Sequence, residues 1–383
     1  MMSSLRDDPR YAGTVEERRA RDRRYDFLLK LHGENGKKAL AMAEAPRTDD
    51  GYFGLDSISF KVYENVMVAG LGALSGLFIS TLEPHGAYGV GQHTTYYYDT
   101  VGRIRRSLLF FAGAVGGDTA AAHTVGRDLF RKHSHVTGDL PATGESFRAN
   151  HVETMKFTYV VGWPHLWRAY KKFGDPDATY EDECQFYQEQ VRVCELMGMP
   201  AGELPDTPEA VEAWVCQAEK EQMAYTRPGQ ELVDFMTHNP WTPIYPNAVL
   251  GAGIKLAIWA AIPLLTPYVR EICDLETMRL RPAIGTLAIR GAVKALRNPV
   301  VEKLVLPWFG YEMWGYLHNA IRHAPDTGPV PFDHTVGLTL QQGKGGTLGD
   351  NAIGDSACPM HALLESRPVA ESEAGAQPEQ VTV

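Results

Sequence analysis

Residues 103–138 constrain this chain more than any other stretch. They read Arg103-x-x-Arg106-Ser107, an apolar run, then Phe130-Arg131-Lys132-His133-Ser134-His135-Val136-Thr137-Gly138. Helical spacing puts Arg103, Arg106 and Ser107 on one face, because residues three and four apart are neighbours. The same spacing puts His133 on a stripe with Val125, Gly126, Leu129, Phe130 and Val136. A histidine aimed into an apolar core, with cations and a hydroxyl on a nearby helix, can hold a buried iron cofactor and polarise its oxygen ligand. Each piece also has a plainer meaning. A lone histidine is ordinarily a core residue satisfied by a hydrogen bond, and Arg103, Arg105 and Arg106 are ordinarily a solvated patch. His135, two residues further on, points to another face and reads as a surface residue; it cannot share a metal with His133.

The rest of the chain repeats the helical period. It recurs over 63–82, 100–115, 119–136, 152–173, 180–197, 208–225, 230–237, 248–265, 275–296 and 301–323. Asp118 stands where a cap belongs, just before the helix carrying His133, and Gly138 where a left-handed residue would end it. Asp206-Thr207-Pro208-Glu209 is a further start signal. No run of alternating strands and no repeat is visible, so the expected fold is all-α in one helical domain over 51–325. Residues 1–50 read as a charged N-terminal arm. Residues 326–383, rich in Gly, Ser, Ala, Glu and Pro, read as a disordered C-terminal tail.

Composition excludes several classes. A net charge of −10 argues against nucleic acid as a partner, which needs a basic face. The five cysteines form no C-x-x-C and no C-x-x-C-H, which argues against a disulfide framework, a cysteine zinc site and covalent haem attachment. Reduced thiols in a cytoplasm are the expectation. The N-terminal arginines have no apolar segment behind them, so no standard signal peptide is expected. The apolar runs 66–82 and 247–269 read as buried helices: the first is short and glycine-rich, and Lys255 and Pro263 interrupt the second. Peripheral membrane contact stays open. Gly70-x-Gly72-x-x-x-Gly76 has the wrong spacing for a dinucleotide fingerprint and reads as close helix packing. No glutamate stands three residues before any histidine, so the paired E-x-x-H ligands of helical di-iron proteins are absent. Cys358-Pro359-x-His361 is similar to a short haem-binding Cys-Pro motif of regulatory tails.

A wider pattern joins these pieces. An Ala/Gly-rich helix ends in Pro84-His85-Gly86, then comes Gly89-Val90-Gly91-Gln92-His93. Next are Gly102-Arg103-Ile104-Arg105-Arg106-Ser107, Val115-Gly116-Gly117-Asp118 and His133-x-x-Val136-x-Gly138. Arg168-Ala169-Tyr170, Leu196-Met197-Gly198-Met199-Pro200, Leu204-Pro205 and Pro263-Leu264-Leu265-Thr266-Pro267-Tyr268-Val269-Arg270 follow. In order and spacing, residues 60–275 resemble the haem-dependent oxygenases that include latex-clearing protein and the fungal MpaB-type enzymes.

The resemblance implies a globin-like helical core around non-covalent haem b. It implies His133 as the proximal iron ligand, with Phe130 and Val136 lining the cofactor. It places Arg103, Arg106 and Ser107 on the distal side, where they would stabilise charge building on dioxygen. The implied reaction is oxidation, or oxidative C=C cleavage, of a small apolar, isoprenoid-like substrate, with an electron donor as a possible partner. Three positions depart from the pattern. Arg106 stands where the latex-cleaving branch has lysine, and arginine is a poor iron ligand. Ala87 and Tyr88 stand in the region of that branch's distal glutamate. Phe157-x-Tyr159 replaces the W-x-H of many relatives, with His165 as a candidate substitute. The alternative reading is a helical haem- or lipid-binding protein without turnover.

Overall fold

The cap read at Asp118 is present: its carboxylate accepts from the Ala121 amide at 3.0 Å and starts the helix that ends at Ser134. The structure, a computed structural model, describes residues 11–93, 99–141, 144, 146–238, 248–276, 280–325 and 327–342. The N-terminal part gives α1 (Val15–Arg23), α2 (Gly33–Ala43), α3 (Ile58–Glu64), α4 (Val66–Ser80) and α5 (Pro84–His93). The middle gives α6 (Thr100–Gly116), α7 (Thr119–Ser134), the strands β1 (Thr137–Asp139) and β2 (Ser146–Arg148), then α8 (Val152–Val160), α9 (Trp163–Ala169) and α10 (Tyr180–Glu195). The C-terminal part gives α11 (Pro208–Glu221), α12 (Arg227–His238), α13 (Ala248–Ala261), α14 (Pro267–Ile272), α15 (Leu280–Leu296), α16 (Pro299–His323) and α17 (Val336–Gln342). The fold is all-α, as the periodicity predicts, and the one sheet among the described residues is the antiparallel pair β1–β2.

Local chemistry explains where the expected helices break. The period over 63–82 is two helices, because Asn65 caps α4 through Val68 N and turns the chain by 93°. The period over 152–173 breaks at Gly162, since Pro164 fits only in a helix's first turn. Gly138 does not end α7. His135 closes that helix in right-handed geometry, and Gly138 pairs with Phe147 in the hairpin without needing a positive φ. The unexpected helix α5 starts on Glu83, whose carboxylate accepts from Gly86 N at 2.6 Å and His85 N at 3.1 Å.

Helix α4 runs through the core, and Gly72 does what close packing requires. A Cβ at Gly72 would lie 2.7 Å from the Leu166 Cα, so α4 and α9 nearly touch there. Gly70 faces open space. Among the described residues no single helix is long and apolar enough to cross a membrane.

The stretch read as an arm includes α1 and α2, and both pack on α16. Buried ion pairs hold them. Arg322, fully buried, reaches Asp26 at 2.8 Å and Glu44 at 2.7 Å, and also pairs with Asp22. Lys303 reaches Asp26 at 3.0 Å, and His318 lies between Asp22 (2.7 Å) and Glu302 (2.8 Å). In the stretch read as a tail, α17 packs on the turn after α10, where Gly337 lies against the Met199 carbonyl. Residues from 343 on, including Cys358-Pro359-x-His361, lie outside the described residues.

Two substitutions on one helix test the packing of α4. Gly72→Val forces Cβ into a backbone atom and should cost about 1–3 kcal/mol. Gly70→Ala meets nothing and should stabilise by up to about 1 kcal/mol, since glycine is costly inside a helix. Urea unfolding midpoints of the two variants should move in opposite directions.

Candidate functional site

Helix α7 is fixed in place by contacts that leave no room for adjustment. A Cβ at Gly126 would fall 2.0 Å from the Leu196 carbonyl oxygen, so α7 lies directly on the end of α10. One turn later Phe130, buried, fills the space beside Gly198, whose φ of +98° and 2.7 Å clearance from that ring both demand glycine. His133 follows on the last turn of α7. Val136 lies beyond it, near Gly89 of α5. His135 is exposed.

Helices α6 and α7 form an antiparallel pair about the Gly117-Asp118 turn, in contact where Gly113 meets Val125. Their far ends bring Arg103 to His133. Burial, then the charges of Arg103 and Lys132, push the His133 pKa down to about 4. The ring is therefore neutral at pH 7. Its Nδ1 is buried without a hydrogen-bond partner. Burial also lowers the Arg103 pKa, against a nearby Tyr159 that raises it. Among the described residues, Arg103 makes no ion pair or hydrogen bond through its side chain.

The other α6 residues go elsewhere. Arg106 pairs with Asp99 at 2.9 Å on the surface, with 44% of its side chain exposed. The Ser107 hydroxyl donates to the Arg103 carbonyl at 3.2 Å. Arg105 points away from Arg103: it bridges to Glu312 on α16 at 2.9 Å and lies over the Tyr311 ring. It is a tie between helices and not the solvated residue that the spacing suggests.

Sequence reasoning did not single out the aromatic wall of this centre. Tyr159 on α8 is close enough to Arg103 for each to shift the other, and burial raises its pKa. The Phe111 ring lies 6.2 Å from Tyr159 edge-on and stacks on Tyr63 at 5.1 Å. Tyr63 donates to Gln190 Oε1 at 3.0 Å, and Gln190 in turn donates to Ser59. Among the described residues the Tyr159 hydroxyl has no hydrogen bond. Buried Cys194 adjoins both tyrosines, and burial holds its thiol protonated. One signal did exist: Phe157-x-Tyr159 stands where the resembling family carries W-x-H. His165 has a free ring nitrogen too, since its Nε2 is buried without a hydrogen-bond partner, but its other nitrogen is anchored. Its Nδ1–H donates to the Val161 carbonyl at 2.7 Å, and burial lowers its pKa to about 3.

Other motif residues serve the frame. Arg168 and Arg270 donate to the Leu264 and Leu265 carbonyls at 3.2 and 2.8 Å. Thr266 caps α14 and bonds to Glu219. Glu83 is spent on capping α5 and on His85 Nδ1 at 2.8 Å.

The fold and this centre define an all-helical protein in which Arg103, His133 and Tyr159 come together between α6, α7 and α8. Residues 60–298 match the family model described as ER-bound oxygenase mpaB/B'/Rubber oxygenase, catalytic domain, and the chain belongs to that oxygenase family. No curated protein and no solved structure matches it.

Two tests follow from these placements. Arg105→Ala breaks a mostly buried, charge-assisted bond and should cost about 1–3 kcal/mol, whereas Arg106→Ala removes an exposed pair worth about 0–1 kcal/mol; denaturant unfolding of both separates them. The second is acid sensitivity. The unfolded chain takes up a proton at His133 near its ordinary value of about 6.5, and the folded chain only near 4. Stability should therefore fall as pH drops from about 6.5 to about 4, and the slope should be shallower in His133→Gln, measured by urea unfolding at stepped pH.

Proposed function

We propose that this protein is a haem b-dependent oxygenase that uses dioxygen on a small apolar, isoprenoid-like substrate. The carrying observation is His133: neutral, with a buried ring nitrogen that no residue takes, opposite a cation that no carboxylate takes. An iron ligand must be an unprotonated imidazole, and His133 meets that condition at neutral pH. Among the described residues no group of three His, Cys, Asp or Glu side chains is placed to hold a metal ion. A macrocycle that brings its own four nitrogens asks the protein for a single axial side chain, which suits a lone histidine. Phe130 and Val136, on either side of His133, supply apolar surface.

Bound haem would supply the iron at which dioxygen is activated. Arg103 would supply a fixed positive charge able to stabilise negative charge on the reacting oxygen. Tyr159 brings a hydroxyl that stays protonated and can donate to the same region. Ser107 lies on the Arg103 side of α6; its hydrogen points to the Arg103 carbonyl, which leaves its oxygen as an acceptor. Arg106 supports α6 from the surface through Asp99. Tyr63 and Phe111 present an apolar wall that excludes water and suits a hydrocarbon chain. Cleavage of a C=C bond by one dioxygen gives two carbonyls and uses both oxygen atoms, so it needs no reductant. Insertion of a single oxygen atom would need an electron donor.

The purified protein should carry a chromophore that acid–butanone releases, since no C-x-x-C-H exists to hold it covalently. His133→Ala should lose it, or lose its axial-ligand spectrum, while His135→Ala keeps both. Arg103→Ala should retain the chromophore but lose roughly a hundred- to a thousandfold in turnover, the usual effect of removing an electrostatic donor. A protein that stays colourless after haem is added, or equal loss in the two histidine variants, overturns this reading. A retained chromophore with no oxygen consumption on any isoprenoid would favour a binding protein without turnover.

A further inference from the structure

Helix α15 is apolar on two opposite faces, and only one of them is covered. Gly285, Ile289 and Val293 form the buried face. There α15 lies so close to α13 that a Cβ on Gly285 would come within 2.7 Å of the Ala260 amide. Leu280, Ile284 and Leu287, at i, i+4 and i+7, form the opposite face. They are 78%, 53% and 74% exposed, three of the few large apolar side chains left in solvent. Isolated exposed leucines are ordinary, but an aligned row on one helix is not.

The charges around this row share one sign. From Leu280 to Arg297 the sequence has no acidic residue and contains Arg281, Arg290, Lys294 and Arg297, in a chain whose net charge is −10. The row is flanked on both sides. Arg281 and Lys255 both lie over the Trp259 ring on one side, and Lys172 feels the charge of Arg290 on the other. Arg281, Arg290 and Lys294 are exposed, and none pairs with a carboxylate among the described residues. Like charges gathered without acids repel one another, which is tolerable where an anionic surface will meet them.

We infer that the exposed face of α15 docks the protein on an anionic lipid surface, with Leu280, Ile284 and Leu287 entering the headgroup boundary and Arg281, Arg290 and Lys294 against lipid phosphates. The shape is that of an interfacial helix lying flat, with apolar side chains in a row and cations along its edges. A second copy of the chain suits the face poorly. A stable interface needs about 20–30 residues a side, and two such cationic faces would repel. The inference is independent of the haem reading, since it uses no residue of the α6–α7 centre.

The test is sedimentation of the full-length protein with vesicles of phosphatidylcholine alone and of phosphatidylcholine containing phosphatidylglycerol. Binding should require the anionic lipid and fall as salt is raised. Leu280→Ser/Leu287→Ser and Arg281→Glu/Arg290→Glu should each weaken it at least about tenfold. Phe27→Ser/Leu31→Ser, which removes two exposed apolar residues elsewhere, should leave it unchanged. Absence of binding, or equal binding to neutral vesicles, overturns the inference. So does a concentration-dependent dimer, seen by analytical ultracentrifugation, that Leu280→Ser/Leu287→Ser dissociates.

Discussion

The position of α7 is the constraint on which the rest of the centre depends. Gly126 against the Leu196 carbonyl and Gly198 against Phe130 leave α7 no freedom to slide or rotate. A one-residue rotation would swing His133 by about 100° and take it away from Arg103. Close backbone approach therefore does at a distance what a hydrogen bond to the histidine would do directly. That matters because His133 Nδ1 has no partner to orient it. Ligating histidines ordinarily have their second nitrogen paired, so here the orientation rests on packing.

Two buried regions handle charge in opposite ways. Between α1, α2 and α16 three buried cations have carboxylates at hand: Arg322 has three, Lys303 and His318 two each. Burial opposes the charged form of His318, but Asp22 and Glu302 outweigh it and raise its pKa. Its stabilising effect is complete below the ordinary histidine range and lost as pH rises through that raised value. The Trp314 ring stacks on it at 3.9 Å and limits access by water. Such a cluster is costly to desolvate, and removing one partner leaves an uncompensated buried charge, so it fixes one arrangement of the N-terminal helices. The α6–α7 centre has the reverse pattern: a cation, a neutral histidine and a phenol with no acid among them. Polar groups left unsatisfied by their own chain lower stability, and that cost is understandable where a ligand is to meet them.

The sequence by itself determined the helical class, most helix positions and the face on which His133 lies. These follow from a 3.6-residue period and from short capping side chains such as Asp118, which act within one turn. It marked Gly70, Gly72 and Gly76 together as close packing, because a glycine inside an otherwise strong helix needs a packing reason; only the structure shows that Gly72 meets Leu166 and Gly70 meets nothing. Tertiary structure alone decided which residues the neighbouring helices take up. Arg105 and Arg106 are adjacent in sequence, yet one is drawn to Glu312 on α16 and the other to Asp99 at the surface, while Arg103 is left unpaired. Gly138 reads as a helix stop, but pairing with Phe147 made it part of a strand. Tyr159 entered the centre only because α8 packs where its phenol meets Arg103. The exposed row on α15 is likewise invisible in a sequence, since an apolar residue does not reveal which of two faces a neighbour covers. Periodicity and caps are local and legible; partner choice between helices depends on distances the chain sets only once it has folded.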